Sequence, residues 1–206
     1  MIEKLKDKLI AEINREKNRL VIFIDGSNFY HGLKAETRNT RINFKKFSEK
    51  LSEGYNLIKV RYYNSPSIQQ NDPVGYKKQQ RFFNYIRSLP RFELIKGRLE
   101  KRKMKIPDNI YEKIKEDYPD KSMTYYEEKG VDICIAVDIV SLAYMNYYDT
   151  AILVSGDGDF VPAIKGAQDK GKKIITAYFK SSEWYHLKRS SDKIIIMDDE
   201  YINSCR

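Results

Sequence analysis

Cysteine and histidine are nearly missing from this chain, with two of each in 206 residues: Cys134 and Cys205, His31 and His186. Two cysteines, one in a predicted helix and one at the carboxyl end, support neither a disulfide framework nor a Cys-rich zinc site. So few histidines weaken any mechanism that needs a His pair for acid and base work on phosphates, and any hydrolysis must lean on carboxylates and metal. Long apolar runs are missing too. Stretches such as Leu20 to Ile24 and Ile194 to Met197 are far too short to cross a bilayer, and the amino terminus alternates charges where a signal peptide would need an apolar core. The expectation is a cytoplasmic chain in a reducing compartment, with no membrane partner.

What is present is a large excess of positive charge, unevenly placed. The net charge is +9, and the segment from Lys77 to Lys105 carries eleven Lys and Arg against only Glu93 and Glu100, so the rest of the chain is balanced. A basic stripe beside an acidic centre reads as a track for a polyanion. Lys77, Lys78, Arg81, Arg98, Lys101, Arg102 and Lys103 are its candidate nucleic-acid contacts. A solvated helix face and hairpin is the plainer alternative. Tyr62, Tyr63, Tyr85, Tyr125, Tyr126 and Trp184 have the chemistry to stack unpaired bases, although most such residues serve the core.

The acidic centre is suggested by two segments, Val21-Ile22-Phe23-Ile24-Asp25-Gly26-Ser27-Asn28 and Ile152-Leu153-Val154-Ser155-Gly156-Asp157-Gly158-Asp159-Phe160. Each ends an apolar strand with acids. Two carboxylates about 4 Å apart repel by roughly 4 kcal/mol at an effective dielectric near 20, so converging acids either hold protons or share a cation. Mg²⁺ and Mn²⁺ suit an all-oxygen set. For either segment alone the simpler role is helix capping, which Asp performs well.

The patterning alternates strands and helices. Residues 1–19 predict an amphipathic helix carrying Ile2, Leu5, Leu9 and Ile13 on one face, suited to packing on the domain or to a homo-oligomer contact. Strands are predicted at Leu20 to Asp25, Leu57 to Tyr63, Phe92 to Leu99, Thr150 to Val154, Lys173 to Ala177 and Lys193 to Met197. Helices are predicted from Asn28, at Asn43 to Leu51, at about Gly75 to Ser88, at Asp132 to Tyr144 and at Phe160 to Lys170. The connection from Lys101 to about Lys129 is poorly patterned and suits a flap. This alternation implies βαβ units and a parallel sheet covered on both faces. The site then lies beyond the carboxyl ends of the strands, where the winding reverses. Asp25, Asp157 and Asp159 follow strands directly, and Asp132 opens a helix at the same edge, where the macrodipole favours a negative charge.

Other phosphate chemistries fit less well. The first strand-to-helix turn has one glycine where a dinucleotide fold needs Gly-x-Gly-x-x-Gly, and no Gly-Lys-Ser or Gly-Lys-Thr loop occurs. A small-molecule phosphatase of the haloacid-dehalogenase kind needs a second acid two residues after its nucleophile, where this chain has Ser27.

Ile24-Asp25-Gly26-Ser27-Asn28, Lys129-Gly130-Val131-Asp132 with Asp138 after it, and Val154-Ser155-Gly156-Asp157-Gly158-Asp159-Phe160 together resemble the NYN domain, in the LabA-like (DUF88) branch of the PIN-like nuclease superfamily. The resemblance covers about residues 20–180. It implies a three-layer α/β/α, Rossmannoid fold with a central, mostly parallel sheet. It divides the chain into the helix of residues 1–19 and a domain of residues 20–206 that includes the basic segment 77–105 and the last strand. It also implies a Mg²⁺- or Mn²⁺-dependent endoribonuclease that leaves a 5′-phosphate and a 3′-hydroxyl, with RNA as partner and DNA not excluded. Asp25, Asp132, Asp157 and Asp159 would be catalytic and hold the metal, Asn28 and Ser155 would orient ligands or phosphate, and Asp138 would support the site from behind. Many PIN-like nucleases also draw an acid from a middle helix, and helix 75–88 offers none. The competing expectation is a nucleic-acid-binding module without catalysis.

Overall fold

The computed structural model describes residues 18–37, 39–68, 72–180 and 185–206. The helix expected over residues 1–19 lies almost wholly outside the described residues, and Arg19 already begins a strand. So does Trp184 lie outside them.

β1 (Arg19–Asp25), β2 (Asn56–Asn64), β3 (Phe92–Lys96), β6 (Thr150–Val154), β7 (Lys173–Phe179) and β8 (Lys193–Met197) form one six-stranded sheet in the order β3-β2-β1-β6-β7-β8. Every neighbouring pair in it is parallel. The chain steps outward from β1 to β2 and β3, then returns to the other side of β1 as β6. The winding therefore reverses between β1 and β6, which run in register from Leu20 opposite Thr150 to Ile24 opposite Val154.

The alternation of side chains along β1 accounts for the three layers. Leu20, Ile22 and Ile24 enter one core with Phe29 and Leu33 of α1 (Gly26–Thr37) and Phe44, Phe47 and Leu51 of α2 (Phe44–Leu51). Val21 and Phe23 enter the opposite core with Ile135 and Ile139 of α5 (Val131–Tyr144) and Ile164 and Ala167 of α6 (Val161–Gln168). A strand buried on both faces reads as a continuous apolar run, as β1 and β6 do. In the first core, the Phe29 ring lies 5.1–5.6 Å from those of Phe44, Phe47 and Phe179. Each fully buried ring of this kind contributes about 2–3 kcal/mol.

α3 (Pro73–Ser88) has proline in its first turn, and the Asp72 carboxylate accepts the Gly75 N–H at 2.8 Å. It buries Phe83 and Ile86 and leaves Lys77, Lys78 and Arg81 exposed.

The third strand differs from the expectation. It stops at Lys96, and Gly97 turns the chain out of the sheet into β4 (Arg98–Lys105). A Cβ at Gly97 would sit 2.5 Å from Ser65 Oγ, 2.6 Å from Val131 Cγ2 and 2.9 Å from the Lys129 carbonyl, so only glycine passes there. β4 pairs antiparallel with β5 (Ser122–Lys129) along its whole length, with α4 (Asp108–Ile114) between them. The flap is thus an ordered two-stranded arm, and the basic residues expected in its loop are on a strand. At its return, Gly130 takes φ +87° and opens α5, which starts one residue before the expected Asp132. The helix predicted at Phe160 to Lys170 is a 3₁₀ turn, Gly158–Phe160, followed by α6. Two short helices, α7 (Tyr185–Ser190) and α8 (Asp199–Asn203), complete the fold. Among the described residues no helix is long and apolar enough to cross a membrane.

Candidate functional site

Asp25 ends β1 at the switch point and is only 4% exposed. Its Oδ1 accepts the Asn28 N–H at 3.0 Å and its Oδ2 accepts the Ser155 hydroxyl at 3.2 Å. Asn28 Oδ1 in turn accepts the Gly156 N–H at 2.9 Å. These bonds tie the turn after β1 to the turn after β6. Asp157 N–H donates to Ser155 Oγ at 3.2 Å, and the Asp157 carboxylate accepts the Asp159 N–H at 2.9 Å. Both acids therefore do cap turns, as the simpler reading held. They also converge.

A pocket of about 560 Å³ opens over this junction, lined by Asp25, Ser27, Asn28, His31, Glu128, Asp132 and Asp157 among others. Asp132, in the first turn of α5, is solvent-exposed on its wall. Three of the four expected acids thus share one pocket. Asp159 is exposed beside it, outside the lining, and adds its charge to the field on Asp132.

The electrostatics are those of crowded carboxylates. Burial pushes the Asp25 carboxyl up to about 6, the Asn28 N–H and the Ser155 hydroxyl pull it back, and Asp132 and Glu128 add to the rise. Asp132 is raised by desolvation and then by Asp157 and Asp159. Glu128 is raised by desolvation and then by Asp132, with a hydrogen bond from Ser65 opposing. Among the described residues none of these acids forms an ion pair.

Two lining residues escaped the sequence reading. Glu128 comes from the carboxyl end of β5, inside a stretch whose pattern gave no strand. Its position just before Lys129-Gly130-Val131-Asp132 was the available signal. His31 sits on α1, one turn past Asn28, and could have been found from that spacing.

Asp138 faces elsewhere. The Tyr63 hydroxyl donates to its carboxylate at 2.7 Å, and Arg61 pairs with it at 3.2 Å. It clamps α5 to β2 and so acts on the site only by fixing the helix that presents Asp132.

Among the basic residues, Lys78 lines a second pocket that meets the acidic one at Ser27. Arg98, Lys101, Arg102 and Lys103 are on the arm.

The family model of the NYN domain matches residues 19–198. The chain belongs to the NYN domain family. This NYN domain is thereby placed in the PIN-like nuclease superfamily, whose members generally cleave nucleic acids and use divalent metals. Over 71 residues it is 34% identical to an uncharacterized protein of Methanocaldococcus jannaschii, a match taking in 34% of this chain and 30% of that protein's length. The crystal structure of a protein of unknown function from Vibrio parahaemolyticus is similar in fold, with a TM-score of 0.64 and 22% identity over 90% of this chain and 96% of that one.

Proposed function

We propose that this NYN domain is a Mg²⁺- or Mn²⁺-dependent endoribonuclease of the cytoplasm, acting at the acidic pocket. One observation carries the reading: Asp25, Glu128, Asp132 and Asp157 line a single pocket, and among the described residues no cationic side chain is paired to any of them. That donor set is all oxygen and electrostatically unsatisfied, which fits a hard divalent ion. Among the described residues no three acids, histidines or cysteines are arranged to hold an ion by themselves. Mg²⁺ tolerates this, since it commonly takes one or two carboxylates and fills its shell with waters and substrate phosphates. Asp25, Asp132, Asp157 and Asp159 would hold it, one or two of them directly and the others through water.

A bound divalent ion would supply a water of lowered pKa and neutralise charge on the scissile phosphate. The chain's own residues do the rest. Asn28 and Ser155 hold the two acidic turns together, and the Asn28 amide nitrogen, which has no partner among the described residues, is available to a phosphate oxygen. Asp138 fixes α5, and with it Asp132. The expected products carry a 5′-phosphate and a 3′-hydroxyl. The three motifs quoted from the sequence favour the LabA-like branch.

Incubating RNA with the purified chain and Mn²⁺ tests this. Cleavage should stop with EDTA and fall at least about 100-fold in Asp132→Asn. Equal cleavage by wild type and variant would place the activity elsewhere. That no ready-made ion site occurs among the described residues favours one alternative, a binding module without catalysis. It predicts salt-dependent RNA binding with no metal-stimulated cleavage.

A further inference from the structure

β4 and β5 have two faces, and their charges are organised differently. Residues directly opposite in an antiparallel ladder share a face. Arg98, Glu100 and Arg102 share one with Lys129, Glu127 and Tyr125. There Arg98 and Arg102 both pair with Glu100, at 2.9 and 2.8 Å, and Glu127 pairs with Lys129 at 2.8 Å and Arg102 at 3.4 Å. That face is nearly self-neutralised.

The other face carries Leu99, Lys101, Lys103 and Lys105 with Glu128, Tyr126, Thr124 and Ser122. All three lysines are exposed, and none forms an ion pair among the described residues. Glu128 at its inner end lines the acidic pocket, and its charge is felt by Asp25. The lysine face is therefore continuous with the site.

We infer that Lys101, Lys103 and Lys105 bind the phosphates of one unpaired strand of nucleic acid and lead it along the arm into the acidic pocket. Alternate residues of a strand lie about 6.6–6.8 Å apart, comparable to successive phosphates in an extended single strand. One row of ammonium groups matches one backbone, whereas a duplex presents two. Tyr126, directly opposite Lys101, supplies a ring beside the row on which a base can stack. Arg98 and Arg102, candidates from composition alone, are already engaged and contribute little.

This inference rests on the nuclease reading for the direction of the strand, but its binding test does not require cleavage. Polarisation of a short fluorescein-labelled RNA with the full chain in EDTA, over a series of KCl concentrations, measures it. Lys101→Gln/Lys103→Gln/Lys105→Gln should weaken binding roughly tenfold or more and reduce the salt slope by about 2, the value for three lost single-strand phosphate contacts. Arg98→Gln/Arg102→Gln should change affinity less than about threefold, as expected for charges already paired at the surface. The triple Lys→Arg variant should retain binding, and the annealed duplex should bind more weakly than the strand. Loss in the arginine variant equal to that in the lysine variant, or a duplex bound as tightly as the strand, would overturn the inference. RNA binding that follows the predicted pattern without Mn²⁺-stimulated cleavage would refute the nuclease reading alone. Cleavage by wild type together with undiminished binding by the lysine variant would refute the track alone.

Discussion

The Ser155 hydroxyl donates to the Asp25 carboxylate at 3.2 Å across 130 residues of sequence, while the same oxygen accepts the Asp157 N–H. One side chain thus joins the acidic ends of β1 and β6. Both residues are buried, Ser155 at 2% and Asp25 at 4% exposure, so the bond is formed where water cannot replace it.

Ser155→Ala removes a donor from a buried carboxylate and an acceptor from the Asp157 amide. Loss of such a bond costs about 1–3 kcal/mol when a partner is left unsatisfied. Urea unfolding should show a loss in that range, and Mn²⁺ affinity should fall with it, because Asp25 holds its proton more tightly. A variant as stable and as avid for Mn²⁺ as wild type would show that the bond does not organise the site.

Stability without metal should depend on pH in an unusual direction. The Asp25 carboxyl titrates near 6 in the folded chain, above its unfolded value, so the fold binds the extra proton between about pH 4 and 6. The stabilisation is complete below that window and is lost as pH rises through it, by about 3 kcal/mol for a shift of this size. Asp132 and Glu128, also raised, act in the same sense. Asp149, lowered chiefly by its bond to Arg19, acts in the opposite sense and at more acidic pH. Urea midpoints in EDTA should decline from pH 4 to 6 and level off, and Asp25→Asn should flatten the decline. Superimposable curves for the two proteins would contradict the assignment.

Asp138 gives a prediction of the opposite kind. Arg61 is largely buried between Asp138 at 3.2 Å and Glu93 at 3.8 Å, and its Nε has no partner among the described residues. Asp138→Ala leaves that cation under-compensated and should cost about 3–5 kcal/mol, whereas Tyr63→Phe, which removes one hydroxyl, should cost about 1–2 kcal/mol. The folded fraction of each should retain the Mn²⁺ affinity of wild type. Weakened ion binding in a fully folded Asp138→Asn would contradict this.

The parts legible in the sequence were those governed by local pattern. β6 at Thr150–Val154 and β8 at Lys193–Met197 have the spans expected of them, because short apolar runs flanked by polar residues leave little choice. That Asp25 and Asp157 would meet followed from both standing directly after strands. What could not be read depends on contacts distant in sequence. The break after Lys96 is imposed by Ser65, Val131 and Lys129 crowding Gly97. Glu128 reaches the pocket only because the arm folds back, and its strand lacks an alternating apolar face. The resemblance implied a supporting role for Asp138, and the partners through which it holds α5, Arg61 and Tyr63 on β2, are distant in sequence. Arg98 and Arg102 reach Glu100 because all three share one face of β4, a strand the sequence pattern did not reveal, and Arg102 reaches Glu127 only through the register of β4 on β5.

Calorimetric titration of Mn²⁺ into the metal-free chain at pH 7.5 tests the central claim most directly, comparing wild type with Asp25→Asn, Asp132→Asn and Asp157→Asn. Saturable binding that each substitution weakens at least about tenfold, a loss of 1.4 kcal/mol or more, is the result expected if three distant segments share one ion. Undiminished binding in all three variants, or no binding by wild type, would show that these carboxylates do not form a common metal centre.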